Sequence, residues 1–177
     1  MTAAIQHFAA ALALCALAFS GHAEDQLGNA ADAIAAPTCK LTLDDGQAPT
    51  ELASLRGQVV YLDFWASWCG PCRQSFPFMN DLHAQLGDKG VRVVAVNLDE
   101  EQADARDFLV KHPASFKVAG GDNSACAQAF KVEAMPSTYL LDRSGRVRLV
   151  HHGFRAGDAE QLRAMLETLV AEPAPTP

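Results

Sequence analysis

Positive charge is scarce in this 177-residue sequence, which has 14 Lys and Arg against 21 Asp and Glu and a formal net charge of −7. Nucleic-acid binding needs a basic face, so nucleic acid is excluded as an expected partner. The body of the chain has no apolar run of about 18 residues or more, which excludes an internal transmembrane helix. A hydrophobic content of 49% excludes wholesale disorder, and the length indicates one domain.

The N-terminus carries a short, uncharged apolar segment. Residues 8–19 read FAAALALCALAF, which has the length of a signal-peptide core rather than of a membrane span. Small residues, Gly21 and Ala23, precede the expected cleavage after Ala23. We therefore predict a signal peptide over residues 1–23 and a periplasmic or otherwise exported location, where disulfides persist. An uncleaved membrane anchor and a lipoprotein anchor at Cys15 are the alternatives.

The remaining chain divides into three parts. Residues 24–37, rich in Ala and Asp, predict a solvated linker before a domain at 38–171. Residues 172–177, EPAPTP, predict a disordered tail. Alternating apolar residues at 39–43, followed by the turn signal Asp-Asp-Gly at 44–46, predict a β-hairpin at the start of the domain.

Hydrophobic patterning beyond the hairpin alternates between strands and helices. Strands are predicted at 59–64, 91–98, about 116–119, 137–141 and 147–151, and helices at about 71–86, 101–111, 124–131 and 158–170. Asp158 is the expected N-cap of the last helix. This order predicts an α/β fold with a mixed sheet covered on both faces.

Two cysteines lie where a strand meets a helix, in the sequence WCGPC at 68–72. The N-terminus of a helix favours an anion, so we expect a lowered pKa for the Cys69 thiol. The thiolate is the nucleophile of disulfide exchange. Cys72 follows one helical turn later and can therefore resolve a mixed disulfide formed at Cys69. Pro71 suits the first helical turn, where its missing N–H loses no intrahelical bond.

Other interpretations of the two cysteines fit less well. A zinc site needs more ligands, and the sequence has no second CxxC and no well-spaced His pair. Covalent haem attachment needs a His after Cys72, where Arg73 stands. A purely structural disulfide is the remaining alternative. No metal and no cofactor are therefore expected.

Asp63 interrupts an apolar strand six residues before Cys69. Burial of a carboxyl group disfavours its charged form, so we expect a raised pKa for Asp63. Such a group is suited to exchange a proton with the thiol of Cys72. The alternative is a hydrogen-bonded aspartate with no part in catalysis.

Cys39 and Cys126 also remain after the expected signal cleavage, which leaves an even number of cysteines. Three interpretations are open. The two residues form a structural disulfide, they are small buried hydrophobic residues, or they accept oxidising equivalents from Cys69 and Cys72.

The run LDFWASWCGPC at 62–72 resembles the thioredoxin superfamily. The hairpin, the extra αβ segment at about 101–119 and the stretch MPST followed by LLDRSG at 135–145 resemble its TlpA/ResA branch of exported thiol–disulfide oxidoreductases. The similarity extends over residues 37–170. It implies a thioredoxin-like fold, with a mixed central sheet flanked by helices, an N-terminal β-hairpin and an inserted αβ segment.

The resemblance also implies roles for individual residues. Cys69 matches the attacking cysteine and Cys72 the resolving one. Pro136 matches a cis-proline that faces the dithiol, and the alternative for it is an ordinary strand entry. The implied substrate-binding residues are Trp68, Gly70, Pro71 and Met135.

The proton-exchanging residue distinguishes this sequence from many of its relatives. Thioredoxin carries Asp at the place of Asp63. Many TlpA/ResA relatives carry Asn there, together with a Glu three residues after the second cysteine. That position is Ser75 here, so the acid–base function is expected at Asp63.

The resemblance implies a thiol–disulfide oxidoreductase that reduces disulfides of exported client proteins, such as apocytochrome c or copper-delivery proteins. The Gly-Pro pair between the cysteines favours a reductant. Electrons would arrive from a membrane thiol transporter. The alternative is a binding or chaperone module that grips metal or a client protein without turnover. A peroxidase is disfavoured, because the sequence lacks the P-x-x-x-T-x-x-C pattern of peroxiredoxins.

Overall fold

The computed structural model describes residues 27–43 and 50–174. The predicted signal peptide and the turn at 44–46 lie outside these residues. Among the described helices, none is long and apolar enough to cross a membrane.

The elements alternate along the chain much as their patterning predicts. The strands are β1 (Ile34–Ala35), β2 (Lys40–Leu41), β3 (Thr50–Glu51), β4 (Val59–Trp65), β5 (Val91–Asn97), β6 (Lys117–Ala119), β7 (Ser137–Leu141) and β8 (Arg146–His152). The α-helices are α1 (Gly70–Leu86), α2 (Gln102–Lys111), α3 (Ser124–Ala129) and α4 (Asp158–Ala171). Short 3-10 turns lie at Leu52–Leu55 and Gly87–Lys89.

Six strands form one mixed sheet in the order β1-β8-β7-β4-β5-β6. Strands β4, β5 and β6 are parallel, whereas β7 is antiparallel to β4, β8 to β7 and β1 to β8. Strands β2 and β3 pair antiparallel in a separate two-stranded sheet, the expected hairpin. The predicted α/β fold with a mixed central sheet is confirmed.

The central strand β4 is buried along its whole length, so both faces of the sheet carry a hydrophobic core. Tyr61 and Trp65 face a core that includes α1 and α4. Leu62 and Phe64 face the other core, to which β2 and α3 contribute. This alternation follows from the period of two along a strand. It puts Asp63 on the side of Tyr61 and Trp65, which is the side of the dithiol.

The expected linker and tail both differ from the structure. Part of residues 24–37 lies against β8, where β1 pairs with Arg146–Val147 and the Gly28 N–H donates to the Arg148 carbonyl oxygen at 2.7 Å. Without this segment β8 would be an edge strand with unpaired backbone groups. In the expected tail, the Glu172 carboxylate accepts hydrogen bonds from the Arg148 guanidinium at 2.6 and 2.8 Å.

The start of α4 also differs by one residue from the expectation. Gly157 is the N-cap, with a left-handed φ of 98°, and Asp158 is the first helical residue. The side chain of Asp158 bonds to Arg155 and His151 instead of to the helix. A positive φ suits glycine, which has no Cβ to clash, and this explains why the cap falls on Gly157.

Candidate active site

The dithiol lies at the junction of β4 and α1. Cys69 is the N-cap of α1 and has an extended backbone, and the Cys72 N–H donates to Cys69 Sγ at 3.2 Å. The two cysteines are joined as a disulfide, with Cα atoms 5.3 Å apart. The structure therefore shows the oxidised form. Once the bond is reduced, the same N–H and the helix dipole favour a thiolate at Cys69.

The two sulfur-bearing residues differ in their exposure. Cys69 keeps 3% of its surface exposed and Cys72 none, so a client disulfide meets Cys69 first. The predicted substrate-binding residues Trp68, Gly70 and Pro71 are all exposed around Cys69. Trp68 is a large apolar side chain next to Cys69 and is 69% exposed. The arrangement offers an exposed apolar side chain beside Cys69, the cysteine of the pair that keeps some exposure.

The Met135–Pro136 peptide bond is cis and precedes β7, the strand that pairs with β4. Pro136 is buried, and its carbonyl oxygen accepts from the Gly153 N–H at 2.8 Å. Met135 is half-buried and packs against the hydrophobic core that contains Cys69 and Cys72. The structure therefore puts the predicted cis-proline segment on the core that contains the dithiol.

Asp63 is fully buried in the middle of β4. Its Oδ1 accepts from the Thr138 hydroxyl at 2.6 Å, whereas Oδ2 has no hydrogen-bond partner within the described part of the chain. Burial raises the pKa of Asp63 to about 7, against the lowering effects of the Thr138 hydrogen bond and the His151 charge. The expected raised pKa is confirmed, and this carboxyl group can take up or release a proton near neutral pH.

Ser75 is buried one turn after Cys72 and makes a local bond. Its hydroxyl donates to the Cys72 carbonyl oxygen at 3.0 Å. It supplies no carboxyl group to the site. Of residues 63 and 75, only Asp63 carries a carboxyl group.

Asp99 fixes the loop that leads into the dithiol, and sequence reasoning missed it. Its carboxylate accepts from the Ser67 N–H at 3.0 Å, from the Ser67 hydroxyl at 2.9 Å and from Asn97 Nδ2 at 2.7 Å. Ser67 lies two residues before Cys69. A signal was present, because Asp99 closely follows the carboxyl end of a parallel strand, where functional side chains of such sheets collect.

Thr138 and His151 were also missed as partners of Asp63. Thr138 is the second of two polar residues that begin β7, so the sequence does not mark it as an interruption of an apolar strand in the way that it marks Asp63. Its pairing with Asp63 depends on strand register, which the sequence does not show.

Cys39 and Cys126 are joined as a second disulfide, with Cα atoms 5.1 Å apart. Both lie in the core on the α3 side of the sheet, whereas Cys69 and Cys72 lie in the core on the α1 side. The sheet separates the two cysteine pairs. The structure does not bring them together as a direct relay would require.

Comparisons with known proteins agree with this geometry. Residues 30–166 match the Redoxin family. The thiol-disulfide oxidoreductase ResA of Oceanobacillus iheyensis is 35% identical over 107 residues, which is 60% of this chain and 56% of that protein. The ResA of Geobacillus thermodenitrificans is 30% identical over 118 residues, or 67% of each chain. A Chlorobium tepidum crystal structure, assigned as the thiol:disulfide interchange protein DsbE, has a TM-score of 0.74 and 45% identity, covering 78% of this chain and 97% of that one.

The fold, the helix-capping dithiol and these relatives define a thioredoxin-like protein of the TlpA/ResA type. The match over 30–166 covers most of the sequence. The chain belongs to the Redoxin family. It spans a little over half the length, 56%, of the first ResA relatives that it matches.

Proposed function

We propose that this chain is a thiol–disulfide oxidoreductase that reduces disulfides of exported proteins through Cys69 and Cys72. The observation that carries the proposal is the position of Cys69 as the N-cap of α1, with the Cys72 N–H directed at its sulfur. The ResA relatives and the DsbE structure support the same chemistry, because the names of these proteins describe thiol–disulfide oxidoreduction or interchange.

The reaction proceeds in two exchanges. The Cys69 thiolate attacks one sulfur of a client disulfide, a Cys69–client bond forms, and the client's other sulfur leaves as a thiolate. The Cys72 sulfur then attacks Cys69 Sγ, the Cys69–Cys72 disulfide forms, and the second client thiolate leaves. Two electrons pass from the dithiol to the client. A second dithiol must return them, and by resemblance a membrane thiol transporter is the donor.

Asp63 serves the second exchange as a general base. The Cys72 thiol must lose its proton before its sulfur can attack, and a buried carboxylate with a pKa of about 7 can accept that proton near neutral pH. Asp63 Oδ2 has no hydrogen-bond partner in the part of the chain that the structure describes, so this oxygen is free to accept the proton. When the dithiol is regenerated, the proton returns along the same route.

The proposed partners and location rest on the predicted signal peptide and on the resemblance. The chain acts in the periplasm or an equivalent exported space, after cleavage near Ala23. Exported proteins with cystines are its clients, and apocytochrome c and copper-delivery proteins belong to that class. Trp68 and the Met135–Pro136 segment supply the client contact, because Trp68 is exposed and Met135 lines the same core as the dithiol.

An insulin reduction assay with dithiothreitol tests turnover. Wild-type protein should accelerate the precipitation of reduced insulin, and Cys69→Ser should abolish the acceleration. Cys39→Ser/Cys126→Ser is the matched control and should retain it, because that pair lies in the other core. A wild-type protein that binds insulin but never accelerates its reduction would favour the binding or chaperone module instead.

Trapping tests which sulfur attacks. Cys72→Ser removes the resolving sulfur, so a client should remain attached to Cys69 as a mixed disulfide that mass spectrometry can locate. Cys69→Ser should capture far less, since Cys72 is fully buried. Equal capture by both variants would contradict the assigned order of attack.

A further inference from the structure

A row of polar side chains crosses three neighbouring strands beneath α1 and α4. Asp63 on β4 lies directly opposite Thr138 on β7, and Thr138 lies directly opposite His151 on β8. Side chains of directly opposed residues project from the same face of a sheet. All three residues are buried, at 0%, 1% and 7% exposure respectively. Polar residues at three adjacent places in a hydrophobic core need partners, and each of the three has at least one, although Asp63 Oδ2 has none among the described residues.

Hydrogen bonds connect each end of this row. The Thr138 hydroxyl donates to Asp63 Oδ1 at 2.6 Å, and the Tyr61 hydroxyl lies 3.3 Å from Thr138 Oγ1. At the other end, His151 Nε2 lies within hydrogen-bond distance of Asp158 Oδ2, at 3.1 Å. Asp158 is further held by the Arg155 N–H at 2.7 Å. The row therefore leads from the centre of β4 to the start of α4.

We propose that His151 is a positioning residue for Asp63: when His151 is protonated, its ring, held by Asp158, favours the carboxylate form of Asp63 across β7. This inference rests on the proton-exchange role proposed for Asp63. Two strand spacings separate His151 from Asp63, or about 10 Å. A unit charge at that distance in a buried region shifts a titration by about one pH unit. The stabilisation is present only while His151 carries its proton.

The charged and titratable groups on this face of the sheet come from β4 and α4, whereas β7 and α1 contribute uncharged groups. From β4 they are Asp63 and the Tyr61 phenol, whose pKa burial and the Asp63 charge both raise. From α4 the facing group is Asp158, while Arg155, just before it, contributes a backbone N–H. Strand β7 contributes the Thr138 hydroxyl, and α1 contributes the ring of Phe78, which meets Tyr61 edge-on at 6.0 Å. The attractive partner of an Asp63 carboxylate in this set is the imidazolium.

The neighbouring His152 provides a matched control on the same strand. It is exposed, points to the opposite side of β8, and its Nδ1 lies 3.0 Å from the Ser137 hydroxyl. A change at His152 removes an imidazole from the protein without altering the buried row. A change at His151 removes the imidazole that faces Asp63.

The test is the titration of Asp63 in the oxidised full chain, followed by carboxyl carbon NMR with labelled aspartate. The Asp63 signal is the one absent from Asp63→Asn. His151→Gln should raise the titration midpoint of Asp63 by about one pH unit. His152→Gln should leave it unchanged. A permanent cation in His151→Lys should keep the midpoint at or below that of the wild type. A midpoint that rises in His151→Gln but does not rise in His151→Lys follows the charge at position 151, which a merely structural role would not produce.

An unchanged midpoint in folded His151→Gln, or a raised midpoint in His151→Lys, would overturn the inference. If the Gln variant does not fold, the Lys variant alone decides. A failure of the catalytic role proposed for Asp63 would give a different result. The rate of disulfide exchange by Asp63→Asn would then keep the wild-type pH profile, while the NMR titration of Asp63 would still show whether His151 affects its midpoint. If the role holds, the pH profile of exchange in His151→Gln moves upward together with the Asp63 midpoint.

Discussion

At the scale of single residues, Asp63 occupies a place where an apolar side chain would give a more stable protein. It is fully buried, and one carboxyl oxygen has no partner among the described residues. Burying a charge without a full set of partners is costly, so the group keeps its proton up to about pH 7. Such a position is the expected mark of a functional carboxyl group.

The Asp63→Asn variant should be more stable than the wild type above neutral pH. Below about pH 4, Asp63 is protonated in both the folded and the unfolded chain. Between about pH 4 and 7 only the unfolded chain releases the proton, so wild-type stability falls as pH rises. A pKa raised from 3.8 to about 7 corresponds to a difference on the order of 4 kcal/mol above pH 7.

Urea unfolding of the oxidised protein at pH 4, 6 and 8 measures this difference in free energy of unfolding. Asp107→Asn, at an exposed carboxyl group on α2, is the control and should show no such trend. Equal stability of wild type and Asp63→Asn at pH 8 would contradict the raised pKa.

The sequence alone marked the candidate site residues Cys69, Cys72 and Asp63, because their signals are local. Cys69 and Cys72 are marked by their spacing, and Asp63 by its interruption of an apolar strand. Thr138 and His151 escaped prediction, since their relation to Asp63 depends on which residues of β4, β7 and β8 stand opposite one another. Register between strands far apart in sequence is set by the folded sheet, and a single sequence does not reveal it.

At the scale of elements, the loop between β4 and α1 is held by hydrogen bonds from Ser67 to Asp99, which lies just after the end of β5. Asp99→Ala removes the acceptor for Ser67 and for Asn97 Nδ2. We expect a loss of about 1–3 kcal/mol in the free energy of unfolding, because a half-buried N–H is left unpaired. The freed loop should also slow alkylation of Cys69 in the reduced protein, since the start of α1 is less well ordered.

Urea unfolding and the rate of Cys69 alkylation check this expectation. Asp122→Ala is the matched control, because Asp122 is exposed and its hydrogen bonds, from the N–H and the side chain of Ser124, stay within two residues of it. Its unfolding midpoint should equal that of the wild type. If Asp99→Ala behaves in the same way, Asp99 does not hold the loop.

Elements with a strong hydrophobic pattern were predicted well, whereas elements that form only by pairing with another strand were not. Strands β4, β5 and β7 agree with their apolar runs to within a residue, because burial on both faces demands such runs. Strand β1 has two residues and exists through its hydrogen bonds to β8. Nothing in the composition of residues 24–37 signals that pairing, so the segment was interpreted as a linker.

At the scale of the whole molecule, the sheet keeps two disulfides in separate cores. The Cys39–Cys126 bond closes a loop over 87 positions and ties the N-terminal segment to α3. In the chain-entropy model such a loop stabilises the fold by roughly 3–5 kcal/mol. Cys39→Ser/Cys126→Ser should lose about that much in urea unfolding and keep its redox activity.

Thiol counting checks the bond itself. Cys69→Ser/Cys72→Ser protein without the predicted signal peptide should contain no free thiol under denaturing, non-reducing conditions. Two free thiols would mean that Cys39 and Cys126 are separate buried residues. Any loss of stability in Cys39→Ser/Cys126→Ser would then reflect packing alone.

The reactivity of the Cys69 thiol tests the whole account most directly. In the reduced protein, the rate of iodoacetamide modification at each cysteine can be followed against pH by mass spectrometry. The account predicts that Cys69 reacts well before Cys72, with a midpoint clearly below the value of about 8.5 for an ordinary cysteine. A midpoint at or above that value, or earlier modification of Cys72, would contradict it.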